Sequence, residues 1–250
     1  MSLIKVIYNE IFYRPLLGAL VFLTGLLPGN DLGLAVILLT IFIRALTFPL
    51  THRMIKTQNA MKRIEPEVKK IYAEKKNKEE QAKALMDLYK AHGINPFSGM
   101  LSLIVQIPLL IALYRVFWKG IPFNQQEVYG FLTIPQNINT VFLGIVSLTT
   151  GSIAMSAIAA ISQFWQAKLA LPPQTTPNTK GDMGRMMQLQ MVYVFPILIF
   201  FISIKLPAAV SLYWTSMNVF AIVHEAIVRK RSASHESGIA SYGRDKNTTS

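Results

Sequence analysis

Arg44 is the one charged residue between Leu32 and Leu50, and Thr40, Thr47 and Thr51 flank it at steps of four, three and four. On a helix that spacing sets one guanidinium and three hydroxyls on a single face. A guanidinium at mid-helix in hydrocarbon costs about 2.5 to 3.5 kcal/mol, while each Leu, Ile, Val or Phe returns roughly 0.3 to 0.6. The segment holds 12 such apolar residues, so insertion wins and the arginine still requires polar company. Only six residues separate Arg44 from Leu50, about 9 Å of helix, so its stem could snorkel to the inner headgroups. The alternative is that the whole polar face turns toward protein or water rather than lipid.

Other apolar segments carry similar stripes: Ser98, Ser102 and Gln106; Ser152, Ser156, Gln163 and Gln166; Ser211, Thr215, Asn218 and Glu225. Taken singly, each reads as ordinary hydrogen bonding between membrane helices. Four stripes converging with one buried cation point instead to a shared hydrophilic cavity. Glu225 lies near the inner end of its segment, at a depth close to that of Arg44, and is the candidate ion-pair partner. Catalytic signatures do not accompany these residues. The chain has no glycine-rich phosphate loop, no HExxH and no GxSxG, and His52, His92, His224 and His235 lack metal-ligand spacing. No metal, cofactor or enzymatic activity is therefore expected. The absence of cysteine excludes a disulfide scaffold and a thiolate site.

The elements that must position these residues follow from a conflict in composition. Of 250 residues, 52% are hydrophobic and only 15% charged, yet the net charge is +12 and the mean hydropathy +0.36. Grease and charge must be segregated, as in an integral membrane protein with basic aqueous loops. The expected class is an all-α membrane protein with a five-transmembrane-helix core. In order, the reading gives an extracytoplasmic N-terminal segment with an interfacial amphipathic helix (1–31), a span (32–50), a cytoplasmic helical hairpin (51–95) and a second span (96–118). An extracytoplasmic loop (119–151), a third span (152–171), a cytoplasmic loop (172–185) and a fourth span (186–204) come next. A turn (205–207), a fifth span (208–228) and a disordered basic cytoplasmic tail (229–250) close the chain. Of the 25 Lys and Arg residues, 19 then fall on one side and five on the other. That bias places the N-terminus outside and the C-terminus in the cytoplasm.

Two segments carry finer expectations. Leu16 to Leu27 is a 12-residue apolar run that could be a signal-peptide core or an uncleaved interfacial helix. The second is preferred, because no small-x-small cleavage site follows and the run is too short to span. In the hairpin, Met61, Ile64, Val68 and Ile71 form a short heptad stripe. Pro66 marks a kink or restart, and Asn77 caps a second helix. Its 11 basic and six acidic residues suit a solvated face, anionic lipid or ribosomal RNA. Pro49, Pro108 and Pro196 mark kinks within apolar helices, and Trp118, Trp165 and Trp214 read as interfacial or packing aromatics.

Three strings together are distinctive: Ile43-Arg44-Ala45-Leu46-Thr47-Phe48-Pro49-Leu50; Gln106-Ile107-Pro108-Leu109 with Ala112-Leu113-Tyr114; and Leu206-Pro207 followed by Leu212-Tyr213-Trp214 and Asn218. From about Tyr13 to Val228 the chain resembles the YidC/Oxa-type membrane protein insertases of the bacterial cell membrane. The resemblance implies five helices around a groove open to cytoplasm and lipid. Through it, nascent membrane proteins pass polar segments across while apolar ones enter the bilayer. Arg44 matches the groove arginine, and Gln106, Tyr213, Trp214 and Asn218 match polar and aromatic groove positions. Tyr13 to Leu27 matches the interfacial helix, and Met54 to His92 the hairpin implicated in contacts with substrate and with the Sec translocon or ribosome. His224-Glu225 departs from the family's usual glutamines, and the lipobox cysteine and long basic C-terminal extension are missing.

The leading reading is an insertase and membrane chaperone acting on nascent membrane proteins in the lipid bilayer, with no specific nucleic-acid binding. Thr40, Arg44, Thr47, Gln106, Gln163, Tyr213, Trp214 and Asn218 are its expected groove residues. The alternative is a polar-cavity transporter or channel in which Arg44 binds an anionic solute. Five unequal segments show none of the internal symmetry common in such transporters.

Overall fold

The computed structural model describes residues 3–75, 77–95, 98–119, 123–170 and 189–247. The chain divides into two compact units, Met1–Asn30 with Phe42–Ile138, and Asp31–Ile41 with Asn139–Ser250.

The first unit begins with a continuous helical run: α1 (Leu3–Tyr8), a π turn (Asn9–Tyr13) and α2 (Arg14–Leu26). The Arg14 N–H reaches back five residues to the Asn9 carbonyl. Pro15 explains the wider turn, since its ring would press on the carbonyl four residues back and it has no N–H to offer. Where the sequence suggested a 12-residue interfacial run, Lys5–Leu26 makes 22 residues, long and apolar enough to cross a membrane. Glu10 and Arg14, the charges within the longer helix, pair one turn apart at 3.0 Å.

Downstream, α3 spans Leu32–Leu46 and α4 Phe48–Arg63. The single run expected through Leu50 is bent by 62° between Leu32–Leu46 and Phe48–Met61. Pro49 supplies the reason, because it cannot donate to the Ala45 carbonyl and clashes with it. Arg44 thus sits in the last turn before the bend, and Thr51 lies beyond it on α4. Two helices follow: α5 (Glu65–Glu74) restarts at Pro66, and α6 (Lys78–Ala91) is capped by Asn77, whose side chain accepts from the Glu79 N–H at 3.0 Å. The unit's remaining long helix, α7 (Ser98–Trp118), packs against α4, α2 and the π turn.

In the second unit, β1 (Val141–Phe142) pairs antiparallel with β2 (Val146–Ser147), with Val141 opposite Ser147 and Phe142 opposite Val146. The connecting turn puts Leu143 and Gly144 at φ +54° and +70°, the signs a type I′ turn demands. Around this hairpin, Leu32 N–H donates to Asn139, Ala208 N–H to Thr150 and Ala209 N–H to Leu148. Asp31 caps α3 by accepting from the Leu34 N–H at 2.9 Å. The loop therefore satisfies the first amides of two helices, which would otherwise be orphaned.

Three helices complete the unit: α8 (Ile153–Ala170), α9 (Phe195–Ile204, entered by a π turn, Gln190–Val194, just before Pro196) and α10 (Ala208–Asn247). α8 packs against both α9 and α10. Ser156, Ala159 and Ser162 are buried on its inner face, and such small residues let helix backbones approach closely. α10 runs on to Asn247, through most of the segment 229–250. No proline interrupts 208–247, and extending an existing helix avoids the unfavourable nucleation step. By length and composition, one straight helix among the described residues passes as a span, and the bent α3–α4 pair would be a second.

Candidate functional site

Within the second unit, polar side chains link α8 to α10 inside otherwise apolar helices. Trp214 donates Nε1–H to Oε1 of Gln163 at 2.9 Å, and Gln163 Nε2 donates to Oε1 of Gln166 at 3.2 Å. One step away, Asn218 Nδ2 donates to the Ser162 hydroxyl at 3.0 Å, and that hydroxyl donates to the Ala159 carbonyl. Gln163, Asn218 and Ser162 are buried. Of the expected site residues, the structure thus joins Gln163 to Trp214 directly and sets Asn218 beside them. Tyr213 is fully buried on α10, and Glu225 is buried on the same helix along with His224.

The hydroxyls of the expected stripes behave differently. Thr40 donates to the Val36 carbonyl at 2.7 Å, Thr47 to Ile43 at 2.9 Å, Thr51 to Thr47 at 3.0 Å, Ser156 to Ser152 at 2.8 Å and Thr215 to Ser211 at 2.9 Å. Each satisfies its donor on its own helix, four residues back. Among the bonds described between α8 and α10, the donors are an amide and the indole, with the Ser162 hydroxyl accepting from Asn218. Ser211 Oγ is buried and makes no hydrogen bond among the described residues.

Arg44 and Thr47 belong to the first unit, Arg44 half-buried on α3. The side chains of Ser98, Ser102 and Gln106 lie outside the described residues. Ser162 is the residue sequence reasoning missed. Its place beside Gln163 put it off the expected stripe, although the small residues Ser156, Ala159 and Ser162 at steps of three mark a contact face.

A second cluster, also unexpected, ties the N-terminal helix to α7. Tyr13 donates its hydroxyl to Glu127 Oε2 at 2.5 Å, and Lys119 pairs with the same carboxylate. Arg115 donates to Asn9 Oδ1 at 3.0 Å and lies over the Tyr13 ring at 4.8 Å. The π turn places Asn9 and Tyr13 to make these contacts. Burial acts to raise the Glu127 carboxyl, but the hydrogen bonds from Lys119 and Tyr13 and the charges of Lys119 and Arg115 outweigh it and hold the group below its ordinary range. Arg115 and Lys119, four apart near the end of α7, were the available signal.

A model of the family described as 60Kd inner membrane protein matches residues 22–235. The membrane protein insertase YidC of Oceanobacillus iheyensis is 30% identical over 230 residues, covering 90% of this chain and 84% of that protein. MisCA, a membrane protein insertase of Bacillus subtilis, is 29% identical over 208 residues, or 81% of this chain and 72% of that protein. The YidC of Helicobacter pylori strain J99 is 29% identical over 199 residues, and the chain spans only 33% of its length. A crystal structure of an active YidC insertase with its first transmembrane domain resolved superposes with a TM-score of 0.58 at 23% identity, covering 88% of this chain and 46% of the other. That likeness establishes a shared, mostly helical fold.

Proposed function

We propose, from the premise that this chain belongs to the 60Kd inner membrane protein family of bacteria, that it is a membrane protein insertase and chaperone. It holds the polar stretches of nascent membrane proteins while their apolar stretches enter lipid. The observation that carries this reading is the set of amide and indole side chains bridging α8 and α10 within apolar helices.

Those groups keep capacity for a guest. Among the described residues Gln163 uses one of its two N–H groups and accepts from Trp214, and Asn218 donates one N–H and leaves its Oδ1 open. A client's polar group would otherwise cost several kcal/mol in hydrocarbon. Thr40, Thr47, Gln106 and Tyr213 are the further positions proposed to meet the client, and Arg44 is the one suited to an acidic segment. Burial of the client's own apolar span, at about 25 cal/mol per Å², provides the drive without a nucleotide.

In this reading α3, α7, α8, α9 with its preceding π turn, and the first part of α10 are the five spans of a multi-pass protein. The N-terminus lies outside and the C-terminus inside, and α5 and α6 stand in the cytoplasm. The hairpin's excess of basic residues suits contacts with anionic lipid, a translocon or a ribosome. The transporter alternative is not carried further, since the relatives described above are named for insertion.

Depletion and complementation test the proposal. Insertion of a small single-span client is followed in membranes carrying the wild type, Arg44→Ala, or a chain lacking Glu67 to Lys90, with acidic and neutral clients compared. The wild type is expected to restore insertion, and Arg44→Ala to fail most with the acidic client. Normal insertion in depleted membranes would sink the insertase reading.

A further inference from the structure

The β-hairpin between α7 and α8 ends in a turn with unusual chemistry for a water-facing loop. Leu143 and Ile145 are 71% and 82% exposed, and Val141 on the same hairpin is 40% exposed. Phe142 and Leu148, by contrast, turn inward: a Cβ on Gly33 would overlap the Phe142 ring, and Leu148 is fully buried. No charged residue or histidine occurs anywhere between Glu127 and Lys168. A loop bathed in water ordinarily carries some charge, and small exposed turns favour Gly, Asn or Asp.

Leu143 sharpens the point. Its φ of +54° is a conformation that glycine and asparagine adopt cheaply and leucine does not. The strained position therefore holds a large apolar side chain aimed away from the protein. The hairpin is also fixed in place: it bonds the first amides of α3 and α10 through Asn139, Thr150 and Leu148. It consequently sits at the ends of two apolar helices, where a bilayer's headgroups would lie. Leu34, Leu38 and Ile41 are exposed at helical spacing down α3 in the same unit, so the helix whose first amide the hairpin bonds carries an apolar outer stripe of its own.

We propose that the Leu143-Gly144-Ile145 turn is a membrane anchor that inserts into the headgroup–acyl boundary of the outer leaflet. The inference rests on the membrane topology of the proposed function, and it adds a lipid contact outside any residue assigned to the client. Its role is to hold the N-terminal ends of α3 and α10 at a set depth, so that client segments meet Gln163, Trp214 and Asn218 at a constant distance from the outer surface.

The chain has no cysteine, so single-cysteine variants are direct. Leu143→Cys and Ile145→Cys carry an environment-sensitive fluorophore in full-length protein reconstituted into phosphatidylglycerol and phosphatidylethanolamine vesicles. Leu198→Cys on the exposed face of α9 serves as the deep control and Lys83→Cys on α6 as the aqueous one. The expected result is blue-shifted emission at 143 and 145, quenched more by lipids brominated near the carbonyl end of the acyl chain than by those brominated near the methyl end. Labels at 143 and 145 as wet as position 83, with position 198 quenched, overturn the anchor and leave the topology standing. Position 198 in water overturns the topology as well. A blue-shifted label at 143 that no brominated lipid quenches means protein covers the turn, as in a pairing of two copies, and also overturns the proposal. Leu143→Asn relieves the backbone and should fold normally by circular dichroism, while the label at 145 loses quenching.

Discussion

Trp214 and Gln163, 51 residues apart in the chain, are joined by an indole N–H donated to an amide oxygen at 2.9 Å. The bond binds α8 to α10 at a level where serine and threonine hydroxyls donate only within their own helices. In lipid, interhelical bonds of this type contribute about 0.6 kcal/mol on average and about 1.7 at most. A double-mutant cycle of Trp214→Phe and Gln163→Leu, read by unfolding in mixed detergent, should give a coupling energy in that range. Strict additivity would show the bond to be energetically idle.

Two glycines in the second unit make a graded pair. A Cβ at Gly151 would collide with the Ile204 carbonyl, which is backbone, whereas a Cβ at Gly33 would meet the Phe142 ring, which can swing. Overpacking of this kind costs about 1 to 3 kcal/mol. Thermal denaturation should therefore place Gly151→Ala below Gly33→Ala in stability, with both below the wild type.

Restoring the N–H at position 49 should straighten the joint between α3 and α4. A proline inside a helix costs roughly 3 kcal/mol, so Pro49→Ala is expected to be neutral or stabilising for the helix while removing the bend after Arg44. Spin labels at Phe42→Cys and Lys56→Cys, both exposed, should move apart in the Pro49→Ala background. An unchanged distance would mean that neighbouring helices, rather than the proline, impose the angle.

The Glu127 carboxylate gives a pH dependence of known sign. Its folded pKa lies below the ordinary value of 4.5, so it contributes stability above that value, and the contribution is lost as pH falls through the depressed folded pKa. Glu127→Gln should cost about 1 kcal/mol at neutral pH. Its loss of stability between pH 5 and the acid limit, followed by thermal unfolding, should be shallower than the wild type's. Parallel curves would exclude Glu127 as the titrating group.

Most of the architecture is legible in one dimension because turns and charges punctuate the apolar runs: Pro28-Gly29-Asn30, Gly93-Ile94-Asn95 and Lys205-Leu206-Pro207 all fall between helices. Asn77 and Pro66 mark the hairpin's helices for equally local reasons. The misses share a physical cause, which is that a side chain's partner is not written beside it. The pairing of Glu10 with Arg14 is one such case, since neither position alone shows its charge to be matched. Pro49 announced a kink without its angle, and the two π turns ahead of Pro15 and Pro196 left no signature beyond the prolines themselves. Gln163, Trp214 and Asn218 were identifiable as polar residues in apolar helices, but the division between hydroxyls bonding at home and amides bonding across appears only in three dimensions. The Tyr13–Glu127 contact joins residues 114 apart and could not be read from either segment alone.

That division of bonds sets what it takes to part α8 from α10. Ser156 and Thr215 keep their hydrogen bonds whether the helices touch or separate, because both partners travel on one helix. The Trp214–Gln163 and Asn218–Ser162 bonds, which do cross between the helices, must break, together about 1 kcal/mol at the average value for such bonds in lipid. The polar bonds are therefore the minor part of the seam, and the close packing at Ser156, Ala159 and Ser162 must carry the rest.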